Sequence, residues 1–168
     1  MRQNIKDFIN EDKEFEELII DIISNKTVQQ MKNYRQHYDT NCFDHCYMAA
    51  YYCYKICKKL KLDYKSATRA AMLHDLFLYD WRERQPDRKG LHAFTHGKTA
   101  CDNACKLFEL NNKEKDIILK HMWPVTLSIP KSIEGFILTL VDKYCAISES
   151  FEVLKSRVTN IRLFRYNN

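Results

Sequence analysis

The sequence predicts an all-α fold, a bundle of about seven or eight helices, on three observations. The 168 residues include only three Gly and three Pro, fewer than proteins of many short strands and turns use. Apolar residues recur at spacings of three and four, which is the period of an amphipathic helix; the first set is Phe15, Leu18, Ile19, Ile22 and Ile23. No segment has a convincing strand pattern. The length suits one domain.

Capping residues and breaks place the helices in order. The first ends at Ser24-Asn25, and a short second helix follows around Val28 and Met31. A third helix follows the cap candidates Asp39, Thr40 and Asn41, a fourth follows Asp63, and a fifth is capped by Thr95. A sixth runs from the capping box of Asn111 and Glu114 to Trp123-Pro124. A seventh runs from Pro130 and Ser132 to about Ile147, and an eighth from about Glu149 to Phe164.

The segment from Tyr79 to Phe94 has no clear period and contains Pro86 and Gly90. Structureless segments of this length inside compact domains are usually lids or binding loops. This one is basic, with Arg82, Arg84, Arg88 and Lys89.

Charge and cysteine content favour an intracellular protein. The formal net charge of +5 is compatible with a phosphorylated ligand, although it more often reflects a Lys-rich surface. The amino terminus has no apolar signal region and no apolar stretch approaches membrane-spanning length, so we expect a cytoplasmic protein without membrane contact. The seven Cys form no C-x-x-C pair; we interpret them as small buried residues at helix contacts in a reducing compartment.

Six further residues suggest a metal site. Asp142 lies in a helix that is apolar nearly all round, where a carboxylate needs a partner or a metal. Taken alone, a salt bridge from Asp142 to Lys143 or to a distant Arg is the better explanation. The other five are His45, His74, Asp75, His121 and His96, the last placed in the first turn of its helix, where the helix dipole favours a neutral imidazole.

With their spacing, the six residues together indicate a metal site more specifically than any one of them does alone. The separations are 29 residues from His45 to His74, 21 from Asp75 to His96, 25 from there to His121 and 21 from His121 to Asp142. A helix-turn-helix step of this size returns the chain to the same level of a bundle. Imidazole and carboxylate ligands on facing helices can therefore meet there.

The order of these six residues along the chain resembles the ligand pattern of the HD-domain metal-dependent phosphohydrolase superfamily, in its dinuclear form. The segments that carry the resemblance are FDHCYMAA, MLHDLFLYD, FTHGKTA, LKHMWP and LVDKYCA, within roughly residues 37–150. The resemblance implies a single HD-type domain over residues 1–168, with N-terminal helices and a basic C-terminal helix packed on that core. It also implies one metal on His45, His74, Asp75 and Asp142, and a second on His96 and His121, with Asp75 bridging both and orienting a hydroxide.

The function that this resemblance implies is hydrolysis of a phosphomonoester or phosphodiester in a small metabolite or nucleotide, through a metal-activated hydroxide. The ligand types suit one or two divalent ions of Fe, Mn, Co, Ni or Zn. Candidate substrate contacts are Lys98, Lys143, Arg82 and Arg84, because cations bind phosphate oxygens. His37 and His92 are candidates for orienting a ligand or for protonating the leaving group, although an incidental position is the better interpretation of both. The bulky residues that follow the His-Asp pair, Leu76 to Tyr79, argue against cyclic dinucleotides as substrates.

Two alternatives stay open. The same six ligands resemble those of the mixed-valence diiron oxygenases of this superfamily. The chain would instead be a non-catalytic metal or nucleic-acid binding module if the basic last helix docks an acidic partner; its basic residues are Lys155, Arg157, Arg162 and Arg165. Nucleic acid is the less favoured partner, and the sequence leaves the oligomeric state open.

Overall fold

Seven α-helices make up most of the chain in a computed structural model, which describes residues 12–37, 40–83 and 90–166 and the side chains of 12–36, 40–83 and 90–151. In order, they are α1 (Lys13–Ile23), α2 (Lys26–Gln29), α3 (Cys42–Lys59), α4 (Tyr64–Leu73), α5 (His92–Leu107), α6 (Asn112–Lys120) and α7 (Ile133–Tyr166), with a 3₁₀ turn at Gln30–Asn33. The all-α prediction is confirmed.

Three predicted helix starts are confirmed by their capping contacts. The side chain of Asn41 accepts a hydrogen bond from the Asp44 amide at 2.8 Å, and that of Asp63 accepts one from the Ser66 amide at 3.1 Å. Asn111 and Glu114 form a reciprocal capping box at the start of α6. Each contact satisfies amide groups that have no partner within the helix.

The predicted start of α5 at Thr95 is wrong, because the helix begins at His92. Leu91 is extended and serves as the cap residue, although it offers no side-chain hydrogen bond. The Thr95 hydroxyl instead donates to the Leu91 carbonyl within the helix, at 3.1 Å. His96 therefore lies in the second turn, and the expected effect of the first-turn dipole does not apply to it.

The predicted break between a seventh and an eighth helix is also wrong. Ser148 and Ser150 lie inside α7, which continues for 34 residues. The Ser150 hydroxyl donates to the Ala146 carbonyl one turn earlier, so its hydrogen-bonding capacity is satisfied without ending the helix.

A two-stranded antiparallel ladder, which the sequence did not predict, joins the 3₁₀ turn to α3. It consists of β1 (Arg35–His37) and β2 (Thr40–Asn41), and the Cys42 amide extends it by donating to the Tyr34 carbonyl at 2.8 Å. Strands this short are too brief to show a period of two. The ladder matters because it holds Gln36 against the buried face of the bundle.

Small side chains allow the helices to pack closely. α3 packs on α4 and α7, α4 packs on α6, and α6 packs on α5. Fully buried alanines line these contacts, among them Ala49, Ala50, Ala67, Ala70, Ala71, Ala100 and Ala104. The predicted burial of the cysteines is confirmed for six of the seven, which form no disulfide; Cys105 is exposed. Within the described ranges, no helix combines the length and apolar character needed to cross a membrane.

Candidate metal centre

The six side chains expected to form a metal site converge at one buried point between α3, α4, α5, α6 and α7. His45 lies in the first turns of α3 and Asp142 in the middle of α7. His74 and His121 are the C-terminal cap residues of α4 and α6. All six side chains, including those of Asp75 and His96, are buried.

The end of α4 explains how two neighbouring residues reach the same point. On a regular helix His74 and Asp75 would face different directions. α4 ends at Leu73, with His74 as its cap residue, and the backbone turns so that the Phe77 amide donates to the Asp75 carbonyl at 2.8 Å. Both side chains then enter the centre, where their closest side-chain atoms lie 3.4 Å apart.

The two carboxylate oxygens of Asp75 face two different pairs of histidines. Oδ2 lies 3.4 Å from Nε2 of His74 and 4.0 Å from Nε2 of His45. Oδ1 lies 3.3 Å from Nε2 of His96 and 3.6 Å from Nε2 of His121. This division is the arrangement that a carboxylate bridging two ions requires.

Backbone carbonyls orient three of the imidazole rings. Nδ1 of His74 lies 2.7 Å from the Ala71 carbonyl, and Nδ1 of His121 lies 2.8 Å from the Ile118 carbonyl. Nδ1 of His96 makes the same contact with the His92 carbonyl at 2.8 Å. Because Nδ1 donates in each case, Nε2 is left with a lone pair that points into the centre, which is the tautomer that binds a metal.

Several atoms of the centre lack the partners that buried polar groups need. Nε2 of His96 and Nε2 of His121 lie only 2.8 Å apart, so their lone pairs repel unless a proton or a cation lies between them. Nε2 of His74 and Oδ1 of Asp75 are buried and make no hydrogen bond within the described part of the chain. A buried polar atom without a partner is costly. The donor set therefore fits positively charged metal ions.

Within the side chains that the structure describes, Asp142 does not form the salt bridge to Lys143 or to an Arg that was the better explanation for it alone. Its Oδ1 lies 3.0 Å from Nε2 of His45 and 3.7 Å from Nε2 of His74. Nζ of Lys143 instead donates to the Thr139 carbonyl at 3.2 Å. The carboxylate thus belongs to the same cluster as the histidines.

The pKa values show how strongly the buried groups interact. Burial lowers the pKa of His45, but hydrogen bonds and charge from Asp142 and Glu149 outweigh it and raise that pKa to about 10. Burial and the charges of His74 and His96 lower the pKa of His121 to about 3. The pKa of His96 is raised, because contact with Asp75 outweighs the effect of burial.

The sequence that contains these six residues matches a family model described as HD domain, over residues 42–147. The chain belongs to the HD domain family. This family is part of the metal-dependent phosphohydrolase superfamily, whose members bind divalent metals. No curated protein and no solved structure matches the chain.

A cavity of about 290 Å³ opens onto the HD-domain centre and contains part of it. Lys143 lines the cavity and is half-buried, and burial lowers its pKa although the charge of Asp142 opposes this. The remaining lining residues are Gln36, Asp75, Trp81, His92, Ala93, His96, His121, Met122, Val125, Asp142 and Ala146. Of the predicted substrate contacts, Lys143 is the one placed at the cavity.

Two of the other predicted substrate contacts, Lys98 and Arg82, do not line this cavity. Lys98 is exposed on α5 and pairs with Asp102 at 2.6 Å. Arg82 is exposed and pairs with Asp80. Arg84 lies outside the described residues with Arg88 and Lys89, as do the side chains of His37 and of the four basic residues near the end of α7.

Four residues at the centre were not predicted as functional. Glu149 places Oε1 3.3 Å from Nδ1 of His45, and Gln36 donates from Nε2 to Oδ2 of Asp75. His92 stacks on His96 with ring centroids 4.4 Å apart, and Trp81 stacks on His92 at 5.5 Å. One signal was available: Glu149 follows Asp142 by two helical turns and lies on the same face of α7.

Proposed function

We propose that this HD-domain protein is a metal-dependent phosphohydrolase with a dinuclear centre. The observation that carries the proposal is the position of Asp75, with one oxygen facing His45 and His74 and the other facing His96 and His121. The membership of the family supports a hydrolase of this general type. The phosphate ester and the two-metal stoichiometry are our proposal.

Each oxygen of Asp75 would complete one ligand set. His45, His74 and Asp142 would join Oδ2 of Asp75 on the first ion, and His96 and His121 would join Oδ1 on the second. These sets overlap groups of side chains whose ligand atoms lie within 4.8 Å of one another. Two divalent ions with two carboxylates leave the centre positive, which favours a phosphate anion.

Bound divalent ions would supply Lewis acidity and a hydroxide nucleophile near neutral pH. The protein supplies orientation and water exclusion. The carbonyl contacts of His74, His96 and His121 hold their rings, and Glu149 holds that of His45. Lys143 at the cavity would hold a phosphoryl oxygen.

The cavity indicates the type of phosphate ester. At about 290 Å³ it lies near the lower limit of small-molecule sites. Trp81, Met122 and Val125 provide apolar walls opposite the charged ligands. We therefore propose a phosphate ester whose leaving group is compact and partly apolar or aromatic, rather than a long polynucleotide.

Metal analysis followed by a substrate screen tests this function. We expect purified protein to contain up to two transition-metal ions per chain and to release phosphate from at least one small ester. Chelation should abolish the activity, and adding back the metal should restore it. A metal-loaded protein that hydrolyses no ester in a broad panel contradicts the proposal; O₂ consumption by the iron form would then support the oxygenase alternative.

Lys143→Met should weaken substrate binding without removing the metal. A charge-assisted hydrogen bond to phosphate contributes about 1.5 kcal/mol or more, so we expect KM to rise by roughly tenfold with the metal content unchanged. Lys98→Met is the matched control, since Lys98 lies outside the cavity and should leave KM unchanged. If the two variants have equal KM values, Lys143 does not bind substrate.

Glu149→Gln should weaken metal binding through His45. The glutamine keeps the size of the side chain and removes the negative charge beside Nδ1 of His45. Residues that orient a ligating histidine contribute about 10–100-fold to metal affinity, so we expect a loss near the lower value, and a larger one for Glu149→Leu. Competition with a chromophoric chelator measures it, with the exposed Glu109→Gln as control. Unchanged affinity in both Glu149 variants would show that the contact has no role.

A further inference from the structure

One face of α7 carries a stripe of exposed apolar residues, opposite the face that holds Asp142 and Glu149. Five of its side chains are each more than half exposed. We call this set the α7 stripe: Ile133, Leu140, Tyr144, Ile147 and Phe151, with the half-buried Ile137 between the first two. The buried residues of the same helix, such as Leu138 and Cys145, point toward α3 and the core.

The stripe has the seven-residue repeat of a coiled coil. Its members alternate in steps of four and three residues, which keeps them on one side of a helix that pairs with another. In the sequence the same steps continue through Leu154, Val158 and Ile161. Nine consecutive positions of the repeat are therefore apolar, over most of the 34 residues of α7.

The length of α7 favours a paired helix. At about 1.5 Å per residue the helix extends for roughly 50 Å. Among the described side chains, its buried residues lie between Glu134 and Glu149. Most of the stability of a helix in a protein comes from the packing of its apolar face, and the α7 stripe offers such a face to a partner.

The exposed area fits a protein interface. The five exposed side chains present on the order of 500 Å² of mainly apolar surface, at the upper end for a monomer. Two copies that paired through these five side chains would bury about 1,000 Å² in total, the lower limit for a biological interface. We propose that the α7 stripe pairs with the same stripe of a second copy of this chain.

The charges of α7 favour an antiparallel pair. Residues 151–166 carry four basic side chains and one acidic one, whereas Lys143 is the one basic residue of 133–150, whose three acidic residues are buried in the domain. A parallel pair would place Arg157 of one copy opposite Arg162 of the other, at flanking positions of the repeat. An antiparallel pair sets the basic half of each helix beside the less basic half of the other.

Light scattering with size-exclusion chromatography tests the pairing on the full chain. We expect twice the mass of one chain, and the mass of one chain for Leu140→Glu with Ile147→Glu. The control, Leu127→Glu with Ile129→Glu, replaces two exposed apolar residues off the stripe and should remain a dimer. A monomeric wild type, or a stripe variant that remains dimeric, would overturn the proposal.

Two further measurements keep the test decisive. If the double variant misfolds, Leu140→Ala should still weaken dimerisation by about tenfold or more, the effect of about 1.4 kcal/mol; an unchanged dimer affinity overturns the proposal. A photoreactive benzoylphenylalanine at position 158 should cross-link to residues 133–150 of the second copy. Cross-links to residues 151–166 would overturn the antiparallel arrangement.

Discussion

Asp75→Asn should remove both metal ions and reduce kcat/KM by at least about 10³-fold, or about 4 kcal/mol of transition-state stabilisation. The amide has the size of the carboxylate but no charge, and its NH₂ group would face two imidazole nitrogens at 3.3–3.6 Å or at 3.4–4.0 Å. Mass spectrometry for metals and a phosphate-release assay measure the two effects.

The control for Asp75→Asn is the same change at Asp102. That carboxylate is exposed and pairs with Lys98, and exposed pairs contribute at most about 1 kcal/mol to stability. Asp102→Asn should keep both metals and full activity. If Asp75→Asn retained its full metal content, the bridging role of Asp75 and the six-ligand assignment would both fail.

Much of the fold could be predicted because local signals agreed with tertiary packing. The caps Asn41, Asp63 and Asn111 satisfy amides at helix starts regardless of what surrounds them, so their chemistry is visible in the sequence. Thr95 failed as a cap because α5 begins three residues earlier, at His92, and the Thr95 hydroxyl donates to the Leu91 carbonyl instead.

The sequence predicted which residues form the candidate site but not which residues surround them. Helix spacing brings His45, His96 and Asp142 to one level, and that spacing is contained in the sequence. Gln36 reaches Asp75 from a strand of three residues, across 39 positions of chain. A short strand leaves no period to detect, and only the packed structure determines which side chain it presents.

His121→Asn should separate the two proposed metal positions. The asparagine amide can still donate toward the Ile118 carbonyl, now contacted by Nδ1 at 2.8 Å, but no atom replaces Nε2 beside His96. We expect the metal content to fall from two ions to one, because His45 and His74 keep their positions beside Asp75 and Asp142. Activity should fall by about 10³-fold, since one ion cannot stabilise both the nucleophile and the leaving oxygen.

His92→Asn is the matched control for this separation, because His92 lines the same cavity and stacks on His96, while its Nδ1 lies 3.0 Å from the Tyr79 hydroxyl. It should keep both ions, so any loss of metal in His121→Asn is specific to the ligand position.

The metal content of His121→Asn also tests the role of Asp75. If His121→Asn loses both ions together, the two positions depend on each other, and the carboxylate does not serve two independently formed sets of histidines. If it keeps both, His121 is not a ligand, and the 2.8 Å contact between its Nε2 and that of His96 is instead relieved by a proton.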